Sequence, residues 1–321
     1  MSRNSTPITP LPYLDLNSYL RRRFGERVQK ITLDAGLSCP NRDGRAGVGG
    51  CLYCNARGSG TGAWSQGLSL AQQMEQGMAR LGRRYGARRF IAYFQSFSNT
   101  YAPAEQLRAL YQEALAFPQV VGLSIGTRPD CLSEEVLDLL AEYAGKYLVW
   151  LELGLQSAHG ATLARLNRGH DVACFTDAVQ RAAARGLEVV PHVILGLPGE
   201  GPPEMRATSA YLAGLPIHGV KIHLLYVVRG SNLARLYEAG HYRCLTEAEY
   251  LHRVVDFLEL LPPRVVIHRL TGDPHPEEFL APAWCLDKNR VLRLIREEFA
   301  RRGSCQGAAF IYPQINADAL R

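Results

Sequence analysis

The 321 residues suffice for one large core and a small appendage, since domains run to roughly 100–200 residues and an α/β barrel of about 250 can be one unit. A hydrophobic share of 47% against 21% charged excludes a disordered polymer, and no apolar stretch approaches the roughly 20 residues of a membrane span. The formal charge of +6, concentrated in Arg21, Arg22 and Arg23 and again in Arg83, Arg84, Arg88 and Arg89, suits phosphate binding and solvated helix faces equally.

Residues 1–20 hold no basic segment followed by an apolar one, so a cytoplasmic location without membrane association is expected. Eight cysteines in a chain of this size are then reduced thiols, available for metal or radical chemistry.

After an N-terminal segment at 1–27, β-rich apolar runs at 28–34, 90–95, 120–126, 148–155, 189–195 and 220–225 predict six strands. Between them, apolar residues return at three- and four-residue steps over 68–81, 104–116, 133–144, 161–166, 175–185 and 203–212, which predicts helices. Strands that alternate with helices pair in parallel through right-handed crossovers. The expected α/β architecture over 28–236 is therefore a partial (β/α)6 TIM-type barrel, although a doubly wound six-stranded sheet has the same rhythm. Residues 237–321 predict a small α+β extension on the barrel's open side, with a helix near 247–260, a short strand at 264–268, a Pro-rich loop and a helix at 289–301. Pro262 and Pro263 end the first of these helices, because proline lacks a donor and clashes with the preceding turn.

Both layouts gather ligands beyond the carboxyl ends of the strands, and the polar residues sit there. The first strand is followed by Cys39-x11-Cys51-x2-Cys54, in a loop rich in Gly, Asn, Asp and Pro that can wrap a bulky ligand. A structural zinc site wants four ligands, whereas three thiolates on four irons leave one iron open to bind a ligand and pass it an electron. Ordinary thiols, or a zinc site completed by a distant residue such as His192, are the alternatives.

The stretches SCPNRDGRAGVGGCLYCN, GTRPD, WLELGLQSAH, LNRGHD, HVILGLPGE and GVKIHLLYVV, in this order, closely resemble the YhcC/YtqA-like radical S-adenosylmethionine (SAM) proteins, from about Arg22 into the C-terminal region. The resemblance implies the radical SAM barrel core, a [4Fe-4S] cluster on Cys39, Cys51 and Cys54, and reductive cleavage of SAM to a 5′-deoxyadenosyl radical, with an electron donor such as flavodoxin or ferredoxin. This family is similar to the elongator-type radical SAM enzymes, whose substrate is transfer RNA. The C5 side chain of a wobble uridine in tRNA is accordingly the expected target.

The resemblance also implies SAM contacts. Tyr53 holds the aromatic position beside the adenine. Gln95 stands where most such enzymes carry a Gly-Gly-Glu type motif, and this sequence departs from it. Arg128 and Arg168 are candidates for the methionine carboxylate, because a guanidinium fork matches it bidentately. Glu152 and Gln156 are read as ribose or amino-group contacts, with a structural ion pair as the alternative for Glu152. His192 replaces a glycine of the adenine-binding pattern and is either a ligand contact or a satisfied core histidine. Cys131, Cys174 and Cys244 are read as packing residues, and so are His268, His275, Cys285 and Cys305. Two other classes stay open: a Schiff-base aldolase-type barrel using Lys221, and a non-catalytic nucleic-acid-binding protein with a structural metal.

Overall fold

The computed structural model of the chain describes residues 11–58 and 60–311. Residues 1–10 of the expected N-terminal segment and 312–321 of the expected extension lie outside the described residues.

The strands are β1 (Val28–Leu33), β2 (Arg89–Phe94), β3 (Val120–Thr127), β4 (Leu148–Gln156), β5 (Glu188–Leu195), β6 (Gly219–Leu224), β7 (Val227–Val228), β8 (Val266–Arg269) and β9 (Phe279–Ala281). The helices are α1 (Leu16–Phe24), α2 (Leu70–Tyr85), α3 (Ala104–Leu115), α4 (Glu134–Ala144), α5 (Gly160–Arg165), α6 (Val172–Ala184), α7 (Pro202–Ala213), α8 (Asn232–Glu238), α9 (Glu247–Glu259) and α10 (Lys288–Arg302). One parallel sheet runs in the order β1, β2, β3, β4, β5, β6, β8, and β7 pairs antiparallel with β9.

Covered on both faces, the central strands are apolar almost throughout, and every residue of β4 is buried. Side-chain caps start several of the helices: Ser69 and Gln72 form a capping box at α2, Thr246 and Glu249 another at α9, and Asp171 accepts from the Cys174 N–H at α6. The helices bury Leu107, Tyr111, Leu137 and Phe175 against Phe94, Leu123, Leu151 and Val193 on the sheet's outer face. On the inner face, Leu20 of α1 joins Val28, Ile91, Leu148, Trp150 and Val190 in an apolar plug at the amino ends of the strands.

Directly above this plug, Lys30 of β1 meets Glu152 of β4 at 2.5 Å. In a flat sheet, three strand spacings would hold them about 14 Å apart. The sheet is therefore curled into an open barrel, and the doubly wound alternative is excluded.

The strand expected at 264–268 is β8, which adds to the main sheet beside β6, so the sheet has seven strands where the strand-helix rhythm predicts six. The rhythm breaks because α8, α9 and β7 all lie between β6 and β8. Helix α1 was not expected. Its Leu16, Leu20 and Phe24 recur at four-residue steps, Asp15 caps it, and it packs on both β1 and β8.

Candidate active site

At the carboxyl ends of the strands a cavity of about 480 Å³ opens, within the range of small-molecule sites. Its wall brings together all ten residues singled out from the sequence: Cys39, Cys51, Cys54, Tyr53, Gln95, Arg128, Glu152, Gln156, Arg168 and His192.

The cysteine loop is shaped by Gly44, Gly49 and Gly50, all at positive φ, and by turns in which the Arg42 N–H donates to the Cys39 carbonyl and the Cys54 N–H to that of Cys51. The LNRGHD turn clamps it from outside. Asn167, itself at φ 52, donates from Nδ2 to the carbonyls of Val48 and Gly50, and Asn41 Nδ2 donates back to the Asn167 carbonyl. A side chain at Gly47 would come within 2.3 Å of Asn41 Oδ1, so this packing requires glycine there.

Buried Arg168 donates from Nη1 to Cys51 Sγ (3.4 Å) and from Nη2 to the Gly154 carbonyl (3.1 Å), while Asn41 Nδ2 lies 3.5 Å from the same sulfur. A hydrogen bond from Cys54, opposed by burial and assisted by Arg168 and Arg128, holds the Cys51 thiol well below its ordinary range. The same bond, together with burial, pushes the Cys54 thiol well above its ordinary range.

Among the described residues no three His, Cys, Asp or Glu side chains converge as around a single metal ion. Three thiols nevertheless face one cavity beside buried cationic donors, which suits a multi-iron cluster bound by one thiolate per iron and not a single zinc. His192, the distant residue considered for zinc, has Nε2 at 2.6 Å from Glu152 Oε2.

Glu152 is the hub of the cavity floor. Its Oε1 contacts Lys30 Nζ and Ser124 Oγ, each at 2.5 Å, and its Oε2 contacts His192 and Lys221, the latter at 2.9 Å. Burial opposes its ionisation, but Lys221, Lys30 and His192 overcome that and hold the carboxyl well below the usual range. Lys221, which also donates to Tyr93 Oη at 2.5 Å, is lowered by burial to about 7 despite Glu152. Burial and Lys221 lower His192 to about 4.

Of the remaining candidates, Arg128 is 2% exposed and grips Asp130 through Nε and Nη2, leaving a buried Nη1 without a partner among the described residues. Gln156 has φ 72 at an irregularity in the β4–β5 pairing, which turns its side chain into the cavity. Sequence reading missed Lys30, Tyr93, Arg269 and the segment from Asp273 to Glu278, which also reach the cavity or its floor. For Lys30 a signal existed: Val28, Lys30 and Thr32 share one face of β1, which placed a lysine inside the barrel.

The matches to known proteins agree with this geometry. Residues 42–212 match the model of the Radical SAM superfamily and residues 217–301 that of the Radical SAM C-terminal domain. The chain belongs to the Radical SAM superfamily, whose members use a [4Fe-4S] cluster and SAM. Within it, the chain is 41% identical to YtqA of Bacillus subtilis over 97% of both chains, and 42% identical to YhcC of Escherichia coli over 92% of this chain and 94% of that protein. In fold it is similar to an N-terminally truncated Elp3 of Methanocaldococcus infernus, with a TM-score of 0.67 at 17% identity, covering 87% of this chain and 64% of that one. Among the described residues no helix is long and apolar enough to cross a membrane.

Proposed function

We propose that this enzyme carries its cluster on Cys39, Cys51 and Cys54, binds SAM in the same cavity, and acts on the C5 side chain of a tRNA wobble uridine. The observation that carries the radical reading is the meeting of three thiols, one of them hydrogen-bonded by a buried arginine, in a single cavity at the carboxyl ends of the strands. When bound, the cluster and SAM supply the radical that takes a hydrogen atom from the substrate. The chain's own residues do the rest: the Asn41–Asn167 clamp fixes the loop, Arg168 offsets the charge of the thiolates, and the barrel walls exclude water. Electrons would come from a flavodoxin or ferredoxin.

Support for tRNA is the resemblance to elongator-type enzymes and the net charge of +6. The arginines of α1 cannot hold phosphates beside a nucleotide in the cavity, because α1 lies at the amino ends of the strands with Leu20 in the plug, and Arg23 there pairs with Glu188. Exposed arginines on segments that follow the carboxyl ends of the strands are Arg57, which lines the cavity and pairs with Glu278 at 3.1 Å, and Arg45, Arg165 and Arg229. A base flipped out of the anticodon loop would enter between them, and its binding would weaken steeply with salt. Mass spectrometry of tRNA nucleosides from cells lacking the protein tests this reading. Loss or gain of a C5-substituted wobble uridine is expected, and unchanged levels in aerobic and anaerobic growth would overturn the tRNA substrate.

The Schiff-base reading has one observation in its favour, a lysine in the cavity lowered to about 7. Its amine is shared between Glu152 and Tyr93, however, and that reading gives the thiols no purpose. Borohydride trapping of a substrate adduct on Lys221 in iron-free protein would restore it.

A further inference from the structure

The cavity floor gathers more basic side chains than the single carboxylate of Glu152 can pair. Lys30 and Lys221 both pair with that one carboxylate, at 2.5 and 2.9 Å, and the Arg269 guanidinium at the end of β8 adds a third cation whose field reaches both lysines. Arg269's neighbour of opposite charge is Asp273, at 4.0 Å, beyond hydrogen-bond reach, mostly exposed and shared with Lys288 at 3.8 Å. Burial and the neighbouring cations disfavour the charged form of both lysines, and an anion placed beside them offsets that cost.

The donors for such an anion are on neighbouring strands. Lys221 and Arg269 are register partners on β6 and β8, His223 follows two residues after Lys221 on the same face of β6, and all three line the cavity. Lys221 spends two of its three N–H bonds on Glu152 and Tyr93. His223 Nε2 is buried without a partner among the described residues. A guanidinium fork fits a carboxylate or a phosphate through two parallel hydrogen bonds. The cations that act most on Cys51 and Cys54 are a different set, namely Arg168, Arg128 and Arg42. The cavity thus has one set of basic groups beside the thiols and a second, Lys30, Lys221 and Arg269, that outnumbers its carboxylates, Glu152 and the exposed Asp273.

We propose that Lys221, His223 and Arg269 form a subsite for one anionic group, carboxylate or phosphate, of the molecule on which the enzyme acts. This rests on the radical-enzyme reading for its purpose, but the site itself is testable without turnover. Equilibrium dialysis of the cluster-loaded protein against inorganic phosphate, and in a second arm against acetate, is run on the wild type, Arg269→Gln and Arg269→Lys. Arg269 is partly exposed and anchors no other element, so both variants should fold. The subsite predicts saturable binding of at least one probe to the wild type, weakened about tenfold or more in Arg269→Gln and largely regained in Arg269→Lys, with iron content and SAM affinity equal in all three. The arm that saturates at lower concentration identifies the anion class. Absence of saturable binding to the wild type, or equal binding by Arg269→Gln, would overturn the proposal. So would weaker SAM binding by Arg269→Gln, since the cations would then serve SAM itself. Failure of the radical-enzyme reading would appear separately, as wild-type protein that takes up no iron and no SAM.

Discussion

Arg168 contacts Cys51 directly, and the consequence is electrostatic. Reduction adds negative charge to an iron-sulfur cluster, and a guanidinium hydrogen-bonded to one of its sulfurs favours the reduced form. Arg168→Gln should therefore keep its iron but lower the cluster's reduction potential, by on the order of 60 mV for a tenfold change in equilibrium constant. A redox titration followed by electron paramagnetic resonance reads this; an unchanged potential would show that the contact carries no charge stabilisation. Lys221 gives a second outcome at this scale. Its folded value is about 7 against an ordinary 10.5, so between these pH values the unfolded chain holds a proton that the folded chain has released. Stability from this group must then rise with pH over that window and be flat below it. Relative to wild type, Lys221→Met should lose that rise in denaturant melts from pH 7 to 10, while Lys30, also lowered by burial, retains its own share. Individual chemistry was largely legible in the sequence, because a cysteine triplet in a glycine loop and lone charges in apolar strands are unusual. Which partner each charge takes was not, since Glu152 reaches Lys30 and Lys221 from 122 and 69 residues away.

Among the elements, β4 carries most of the site: Trp150 in the plug, Glu152 at the hub, Gly154 under Arg168 and Gln156 at its end point into the barrel at two-residue intervals. Position 154 is closely approached: an added Cβ would lie 2.4 Å from Arg168 Nη2 and 2.6 Å from Gln156 Nε2, so the ends of both side chains would have to move. Gly154→Ala should cost about 1–3 kcal/mol, as overpacked core positions do, and should displace Arg168 so that the potential shifts in the same direction as in Arg168→Gln. A thermal melt with the redox titration checks both, and a fully stable Gly154→Ala with wild-type potential would contradict the placement of Arg168. Strands β1 to β6 were readable from their apolar runs. Helix α1 was not, because Arg21, Arg22 and Arg23 dominate its composition although Leu16, Leu20 and Phe24 form its packing face. The membership of β8 in the main sheet was hidden for a different reason: pairing partners are set by the curl of the whole sheet and not by local pattern.

For the whole molecule, closure by α1 and β8 converts six repeated units into a lined chamber with an apolar base, a charged floor and a thiol-bearing rim. On the proposed function, this rim holds a [4Fe-4S] cluster on three cysteines and uses it on SAM. The most direct measurement is iron and sulfide content together with reductive SAM cleavage, on anaerobically reconstituted wild type, Cys51→Ala and Cys174→Ala. About four irons and four sulfides per wild-type chain are expected, as one [4Fe-4S] cluster requires, with cleavage of SAM. Both should be lost in Cys51→Ala and kept in Cys174→Ala. A Cys51→Ala protein with full iron and undiminished SAM cleavage would remove Cys51 from the cluster and overturn the assignment.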